Sequence, residues 1–578
     1  MYTDERVMTK LDTILDGDND SGRASMASLF YHVGFLLVFF LTSLQLSVCL
    51  SLILGMGVTP FHLPLAAGLT IVVGFYSANR MGIGRVKPIT SMAYFVVAVI
   101  LSIIIAMLFY DRSFDGQAYH QEAIIQLAAG WNPYYDTLAD SVAHKIWLTH
   151  YAKGPWLQAG AFYELTSSLE SGKAVNILLM FASWFFVASL MLSIKRVSIW
   201  AGIIIATLAA LNPVSVYQGV SYYVDGQLSS IFISLIALLS MAIIGKKRHF
   251  LIAAAALIIL LVNIKFTGLV YAALIIFAYA IASLYINQLK ETIQQASILT
   301  AGFVIGFLLV GFNPYVTNTF EHGNIFFPLR GDNAIDVVSH AKPIPFKSMN
   351  RIEALVNSTF SASSNSKEGY TLKVPFHIPS RSELKAISAA DPRLAGFGPW
   401  FSGALVLSAV GFLVILVTCK TPLIRLTAAF FVGSLLATVL INPESWWARY
   451  VPQLYLIPLI TCAMLFLCAP RKIKVLATAL LIALSVNASV VLFASLKENA
   501  RTSIAINSQL ATLSAESDAS ITTYFSVFQA MRVRLSDAGV KFSSVDNETD
   551  LPCDNPSSFF ASFGRAKFCM PDSVARQN

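Results

Sequence analysis

A dense polar cluster at residues 109–120 holds the side chains best suited to acid–base chemistry. It reads Phe-Tyr-Asp-Arg-Ser-Phe-Asp-Gly-Gln-Ala-Tyr-His and directly follows an apolar run. A carboxylate that is partly removed from water has a raised pKa and accepts a proton from an attacking hydroxyl group more readily. We therefore predict that Asp115 is a general base and that Tyr119 and His120 contact its substrate. Alternatively, Asp115 caps a short helix formed by the residues that follow it.

A second acidic residue, Asp225, lies in a polar turn between two apolar runs, at residues 212–226. Acidic side chains at the edge of a membrane span are costly unless they are paired or face water, so Asp225 is predicted to be catalytic as well. The alternative is a cap on the next helix. The neighbouring Tyr223 is predicted to bind substrate, although aromatic residues here also suit an interfacial belt.

Three basic residues at similar boundaries are predicted to bind phosphate: Lys153, Lys265 and Arg449. Lys153 precedes a rigid Gly-Pro-Trp turn, whose Trp156 is a candidate for binding substrate by stacking. A lysine near a helix end also commonly extends its amine to the interface, and Arg449 has Glu444 as an alternative partner. Both interpretations remain open at the level of sequence.

The motifs of several other protein classes are missing from the sequence. It contains no zinc-ligand spacing, no P-loop and no dinucleotide-binding glycine pattern, so no cofactor is expected. Asp111, Asp115 and His120 together form an alternative site for a divalent cation. The formal charge of +8 is dispersed in short clusters and forms no basic face, which argues against nucleic acid as a partner.

The composition of the chain indicates which structural elements hold these residues in place. Of the 578 residues, 56% are hydrophobic and 12% are charged, more apolar material than one soluble domain buries. Apolar runs of about 20 residues match a hydrocarbon core of roughly 30 Å. We predict an all-α polytopic membrane protein with about thirteen spans. Their centres lie near residues 40, 69, 100, 184, 205, 236, 256, 275, 305, 409, 432, 460 and 485.

Charge in the connections predicts the orientation of these spans. Alternate short connections are basic, which places them in the cytoplasm together with an N-terminal tail, residues 1–27. A transmembrane catalytic domain would then occupy residues 28–495, with external loops at 111–173 and 313–398. The basic residues that carry this prediction are Arg80, Arg85, Lys87, Lys195, Arg196, Lys246, Lys247, Arg248, Lys290, Lys420, Arg425, Arg471, Lys472 and Lys474.

The tail from residue 496 to 578 predicts a small extracytoplasmic α/β domain. It has a helical pattern at 508–517 and strand-like pieces at 521–525 and 540–545. Cys553 and Cys569 lack metal-ligand spacing. They would suit a disulfide if the tail is outside the cytoplasm.

Three motifs taken together resemble the first periplasmic loop of GT-C glycosyltransferases. They are Asp-Gly-Gln-Ala-Tyr-His at 115–120, Gly-Trp-Asn-Pro-Tyr at 130–134, and Lys-Gly-Pro-Trp at 153–156. The nearest subgroup is the protein mannosyltransferase and lipid A aminoarabinose transferase type. Two positions depart from its pattern: Gly116 stands where many members carry an acid, and Gly154 replaces the first proline of a Lys-Pro-Pro element.

The resemblance implies a sugar transferase of the bacterial inner membrane. Its donor would be a polyprenyl-phosphate sugar, and its acceptor a lipid, polysaccharide or protein of the cell envelope. Asp115 would activate the acceptor hydroxyl with inversion at the anomeric carbon, and the donor phosphate would lie near Lys153. Two alternatives are a transporter or flippase of lipid-linked saccharides and a glycan ligase with a pyrophosphate-linked donor.

Overall fold

The computed structural model describes residues 21–80, 88–245, 247–331, 334–419, 422–468, 470, 472–515 and 520–570. These form a helical bundle with a small sheet at the C-terminal end, and eight of the helices are long and apolar enough to cross a membrane. The chain thus has the character of a helical membrane protein. The predicted cytoplasmic tail lies largely outside the described residues, as do Arg85, Lys87, Lys246, Lys420 and Arg471.

Every predicted span centre falls within a helix of the described part of the chain. The segment 249–285 divides into two helices at residues 263–265. The thirteen helices are Ser21–Ile53 (α1), His62–Arg80 (α2), Pro88–Leu108 (α3), Ala174–Ser193 (α4), Ile199–Ala210 (α5), Asp225–Gly245 (α6), Arg248–Val262 (α7), Phe266–Ile286 (α8), Leu289–Ile305 (α9), Phe401–Thr418 (α10), Pro422–Ile441 (α11), Leu456–Cys468 (α12) and Lys474–Ala515 (α13). Of these, α2, α5, α7, α11 and α12 have shorter apolar stretches, and their passage across a membrane stays a prediction.

Burial separates interior helices from peripheral ones. The apolar span that contains α4 is 83% buried, because α4 packs against α1, α5 and α6. The span that contains α9 is only 22% buried, although its sequence is similarly apolar. A helix that is apolar on all sides suits either the centre of a bundle or a lipid-facing position. The packing therefore decides which of the two each helix occupies.

Short helices fill the connections at one end of the bundle. We call residues 109–173, 211–224, 306–400 and 442–455 the connecting end, since hydrogen bonds join all four segments. Its helical pieces are Gly116–His120, Gln121–Ala128, Lys145–His150, Gly154–Thr166, Leu169–Lys173, Pro213–Gln218, Gly306–Val310, Phe312–Val316, Thr317–His322, Ile344–Lys347, Arg351–Thr359, Arg381–Ile387, Ala448–Tyr450 and Pro452–Tyr455. The connecting end contains most of the predicted site.

The C-terminal residues form a small α/β unit on α13. Strands Ile521–Tyr524 (β1), Phe542–Ser544 (β2), Ser557–Ser558 (β3) and Lys567–Cys569 (β4) make one sheet in the order β2-β1-β4-β3, completed by the helices Met531–Asp537 and Glu548–Asp550. Only the β1–β2 pair is parallel. The predicted strands at 521–525 and 540–545 are confirmed, and a disulfide joins Cys553 to Cys569. α13 runs through the predicted boundary at residue 495 as one helix of 42 residues.

Candidate active site

A single guanidinium group, that of Arg449, joins three carboxylates from distant parts of the chain. Its Nη2 is 3.0 Å from Asp115 Oδ2, and its Nη1 is 3.1 Å from Asp391 Oδ2; both contacts are hydrogen bonds. Its Nε is 3.1 Å from Asp225 Oδ2, an ion-pair distance without hydrogen-bond geometry. We call Asp115, Asp225, Asp391, Arg449 and Lys265 the charged cluster. The two predicted catalytic carboxylates thus share one cation.

Helix ends position the members of this cluster. Asp225 is the first residue of α6, Lys265 immediately precedes α8, and Arg449 lies in the turn between α11 and α12. The Lys265 amine forms an ion pair with Asp225 Oδ1, and Gln218 Nε2 donates to Asp225 Oδ2 over 3.1 Å. Charged groups at the ends of separate spans meet here because those ends lie at the same side of the bundle.

Aromatic rings surround the cations. The Arg449 guanidinium carbon lies 4.4 Å from the centre of the Tyr223 ring, 5.2 Å from that of Trp447 and 5.5 Å from that of Tyr450. The Lys265 amine is 4.8 Å from the centre of the Tyr450 ring. Cations over aromatic faces are stabilised electrostatically, and the rings exclude part of the solvent. The site therefore combines charge with flat apolar surfaces.

The charged cluster carries one excess negative charge when its carboxylates are all ionised, since Arg449 and Lys265 face three aspartates. Burial lowers the pKa of Arg449, but the surrounding carboxylates outweigh burial and raise it overall, so the guanidinium stays charged. Burial, with help from Asp115 and Asp225, raises the pKa of Asp391 despite the opposing effect of Arg449. Asp391 Oδ1 is buried without a hydrogen-bond partner. Protonation of Asp391 would therefore balance the charge of the cluster.

The three carboxylates differ in their access to solvent. The side chain of Asp115 is 25% exposed and that of Asp391 is 20% exposed, whereas that of Asp225 is 1% exposed. Asp225 is also held by Lys265 and Gln218. Asp115 is therefore the member best placed to meet a hydroxyl group that enters from outside, while Asp225 orients the two cations.

His120 and Trp156 form a buried pair beside the cluster. Trp156 Nε1 donates to His120 Nδ1 over 2.7 Å, so this nitrogen carries no proton. Burial lowers the pKa of His120 to about 4, and the ring is neutral at pH 7 with its proton on Nε2. The Tyr119 ring lies 4.4 Å from the His120 ring. A neutral His120 offers a hydrogen-bond donor and no charge.

Lys153 is buried among neutral oxygen atoms. Its amine donates to Asn313 Oδ1 at 2.6 Å and to the carbonyl oxygens of Thr149 and Tyr151 at 2.8 and 2.9 Å. These contacts use its three N–H donors, and burial lowers the pKa of Lys153 well below its usual value. The structure thus brings Lys265 and Arg449 to the predicted carboxylates and gives Lys153 other partners. Phosphate binding by Lys153 stays a prediction.

Close packing accounts for both glycines that depart from the GT-C pattern. A Cβ atom on Gly154 would lie 2.8 Å from the carbonyl oxygen of Asn263, and Gly154 N–H donates to that oxygen over 3.1 Å. A Cβ atom on Gly116 would collide with the carboxylate of Asp111. Side chains at both positions are excluded by neighbours within this chain.

Gly154→Ala is expected to destabilise the protein by about 1–3 kcal/mol, because the added methyl group overpacks a site bounded by backbone. Gly160→Ala on the same helix is the matched control, since its Cβ would lie 3.7 Å from Val58 Cγ1, an ordinary contact. Thermal melts in detergent compare the two variants with the wild type. Equal melting temperatures for both variants would contradict the packing described here.

A second buried ionic network fastens the C-terminal unit to the connecting end. Glu170 accepts from Arg534 Nη2 at 2.8 Å and lies 2.6 Å from Lys173 Nζ, while Arg534 also donates to the Asp111 carbonyl oxygen at 2.9 Å. Nearby, Arg532 holds both carboxylate oxygens of Glu122, at 2.6 and 2.8 Å. The geometry suits a structural clamp.

Sequence reasoning missed Asp391, which lies in the long connection between α9 and α10. The available signal was an Asp-Pro pair inside a predicted external loop, and such pairs also mark ordinary turns. Asp111, Asp115 and His120, the alternative site for a divalent cation, have separate partners in the structure. Asp111 accepts from the N–H groups of Ser113 and Tyr222, and Asp115 and His120 have the partners given above. The cluster is therefore larger than predicted, and its centre is a cation.

Comparison with known proteins leaves the chain without an assigned relative. No protein-family model matches it, and no curated protein sequence matches it. Function must therefore be inferred from the site and from the membrane-like architecture.

Proposed function

We propose that the protein is a membrane glycosyltransferase that moves a sugar from a polyprenyl-phosphate donor to an acceptor of the cell envelope. The observation that carries the proposal is the charged cluster, in which Asp115 is accessible beside two cations at the ends of apolar helices. A carboxylate and cations side by side at a membrane boundary suit a reaction that takes a proton from one substrate and leaves negative charge on the other. The acceptor is a lipid, polysaccharide or protein.

The reaction requires one bond to form as another breaks. Asp115 accepts the proton of the acceptor hydroxyl, and the hydroxyl oxygen forms a bond to the anomeric carbon. The bond from that carbon to the phosphate oxygen breaks, and its electron pair leaves with the polyprenyl phosphate. Attack from the face opposite the leaving group inverts the anomeric centre. Arg449 and Lys265 stabilise the phosphate, because charge-assisted hydrogen bonds to phosphate are strong.

The remaining predicted site residues support this chemistry. Asp225 is a positioning residue, since its carboxylate holds Lys265 and Arg449 in place. Tyr223, Tyr119 and Trp156 supply flat surfaces for sugar rings, and His120 supplies one N–H donor. Lys153 contacts the donor phosphate only after it exchanges a neutral oxygen partner for the anion.

The architecture supports a GT-C-like layout with thirteen spans and an extracytoplasmic site. Eight long apolar helices and five shorter ones occur where spans were predicted. The Cys553–Cys569 disulfide suits an oxidising compartment, and the C-terminal unit that contains it docks on the connecting end. Together with basic residues in the opposite connections, this supports an active site that faces the periplasm from a bacterial inner membrane.

The test is transfer by the purified protein in detergent. Radiolabelled polyprenyl-phosphate sugars would be presented with cell-envelope acceptors, and the release of polyprenyl phosphate and the label in the acceptor would both be measured. We expect label transfer with one member of the panel. Movement of labelled lipid across vesicles without transfer would favour the transporter, and activity restricted to pyrophosphate-linked glycans would favour the ligase.

A further inference from the structure

A second set of potential ligands lies at the connecting end, outside the charged cluster. His150 ends the helix Lys145–His150, and Glu321 and His322 end the helix Thr317–His322. One ligand atom from each of these three side chains lies within 4.8 Å of the other two. The group joins two segments that are 171 residues apart along the chain, since Glu321 follows His150 by that number. Two helices that end against each other thus present three donors to one point.

The hydrogen bonds of Asn318 determine the tautomer of His150. Asn318 Nδ2 donates to the carbonyl oxygens of Phe327 and His150, at 2.8 and 3.2 Å, so its Oδ1 must face the other way. That Oδ1 lies 2.8 Å from His150 Nδ1. An amide oxygen only accepts, so Nδ1 carries the proton and Nε2 keeps a free lone pair. Metal-binding histidines are oriented in this way by a carbonyl or carboxylate partner on the other nitrogen.

His322 is held by packing and faces a carboxylate. Its ring stacks on Phe327 with ring centres 3.7 Å apart, and the His150 ring packs on it edge to face at 4.8 Å. His322 Nε2 lies 3.9 Å from Glu321 Oε2. In a tetrahedral zinc site, bonds of about 2.0–2.2 Å place neighbouring ligand atoms roughly 3.3 Å apart. The Glu321 side chain is 60% exposed, so its rotation can bring the carboxylate from 3.9 Å to the shorter separation of a zinc site.

We propose that His150, Glu321 and His322 bind one divalent transition-metal ion, with Zn²⁺ as the best match. Two imidazoles and a carboxylate are a zinc ligand set that leaves a fourth position for water. His150 lies three residues before Lys153, and Asn313, which accepts from Lys153, lies shortly before the other helix. A bound ion would therefore fasten together the two segments that hold Lys153. This inference does not depend on the proposed transferase activity.

The experiment is a metal titration of the full-length protein, purified without a polyhistidine tag and stripped with a chelator. Co²⁺ is added first, because its visible absorption reports imidazole coordination, and Zn²⁺ is then used to displace it. We expect one ion per chain and a higher melting temperature with Zn²⁺. His322→Ala is expected to weaken Zn²⁺ affinity by about 100-fold, and Glu321→Gln is expected to weaken it by at least about tenfold.

The exposed His340 supplies the matched control, since His340→Ala removes an imidazole from the same connection and should leave the titration unchanged. Glu321→Gln alters an exposed side chain and keeps the test decisive if His322→Ala folds poorly. Melting in the presence of chelator checks the fold of each variant. The proposal is overturned if the wild type binds neither ion, or if Glu321→Gln, together with His322→Ala where it folds, binds Zn²⁺ as tightly as the wild type.

Discussion

Replacing Asp115 with Asn is expected to lower kcat for sugar transfer by about 10²–10⁴-fold, the usual contribution of a general base. The amide has nearly the same shape as the carboxylate, and its oxygen still accepts from Arg449 Nη2, which is 3.0 Å away in the wild type. The fold and the donor site should therefore be preserved, while the group that takes the proton is lost. Transfer rates at saturating donor, measured beside thermal melts, check this result.

Asp140→Asn is the matched control for this variant. Asp140 lies in the same connection, its side chain is fully exposed, and it pairs with Lys145 over 2.7 Å. Its replacement should leave both the transfer rate and the melting temperature unchanged. Transfer by Asp115→Asn at a rate close to that of the wild type would remove Asp115 from the reaction, even if the protein proves to be a transferase.

Replacing Arg449 with Met is expected to destabilise the protein by about 3–5 kcal/mol, because it leaves paired, largely buried carboxylates without their shared cation. Asp115, Asp225 and Asp391 would then face one another with Lys265 as the only positive charge of the charged cluster. Equilibrium unfolding in mixed detergent micelles measures the loss. Transfer activity should fall as well, since the phosphate loses one of its two cations.

The pH dependence of the Arg449→Met variant provides a second reading of the same effect. Without the guanidinium, mutual repulsion raises the pKa values of the carboxylates in the folded state above those of the unfolded chain. The folded protein then binds more protons, and stability returns as the pH falls through the raised values. The wild type should show a smaller gain, because Arg449 opposes the rise that burial causes in the pKa of Asp391.

Two further variants show whether repulsion causes the loss. Adding Asp391→Asn to Arg449→Met removes one of the unpaired charges and should recover part of the stability. The effects of substitutions at contacting residues on the free energy of unfolding are not additive. Arg501→Gln is the control, because Arg501 is 78% exposed on α13 and pairs only weakly with Glu498, at 3.6 Å. Its effect should stay within about 0.5 kcal/mol. An Arg449→Met protein as stable as this control would contradict the cluster geometry.

The helices of this protein were predictable from local sequence. A span needs about 20 apolar residues, and hydropathy within one window reports that need directly. Each predicted centre accordingly lies in a helix, and the neighbouring centres 256 and 275 lie in two helices that are divided at residues 263–265. The strands near residues 521 and 542 followed from alternation and residue type. The continuation of α13 past residue 495 did not, because its apolar pattern ends within the helix.

Individual residues of the candidate site could be predicted from the sequence, but their spatial arrangement could not. Asp115, Asp225, Lys265 and Arg449 each carry a local signal, which is a charge at the end of an apolar run. Their convergence on Arg449, the membership of Asp391 and the neutral partners of Lys153 have no local signal. These depend on which helix ends meet and on which charges balance when they are buried together.

The sequence by itself therefore determined that the chain is helical and membrane-like, and it determined where charge is placed along the helices. Both properties arise from interactions between neighbouring residues and solvent. Only the tertiary structure decided that one guanidinium holds three carboxylates, and that His150, Glu321 and His322 meet. The physical reason is that a charge interacts with its neighbours in space over a few ångströms, and those neighbours are chosen by the packing of helices far apart in the chain.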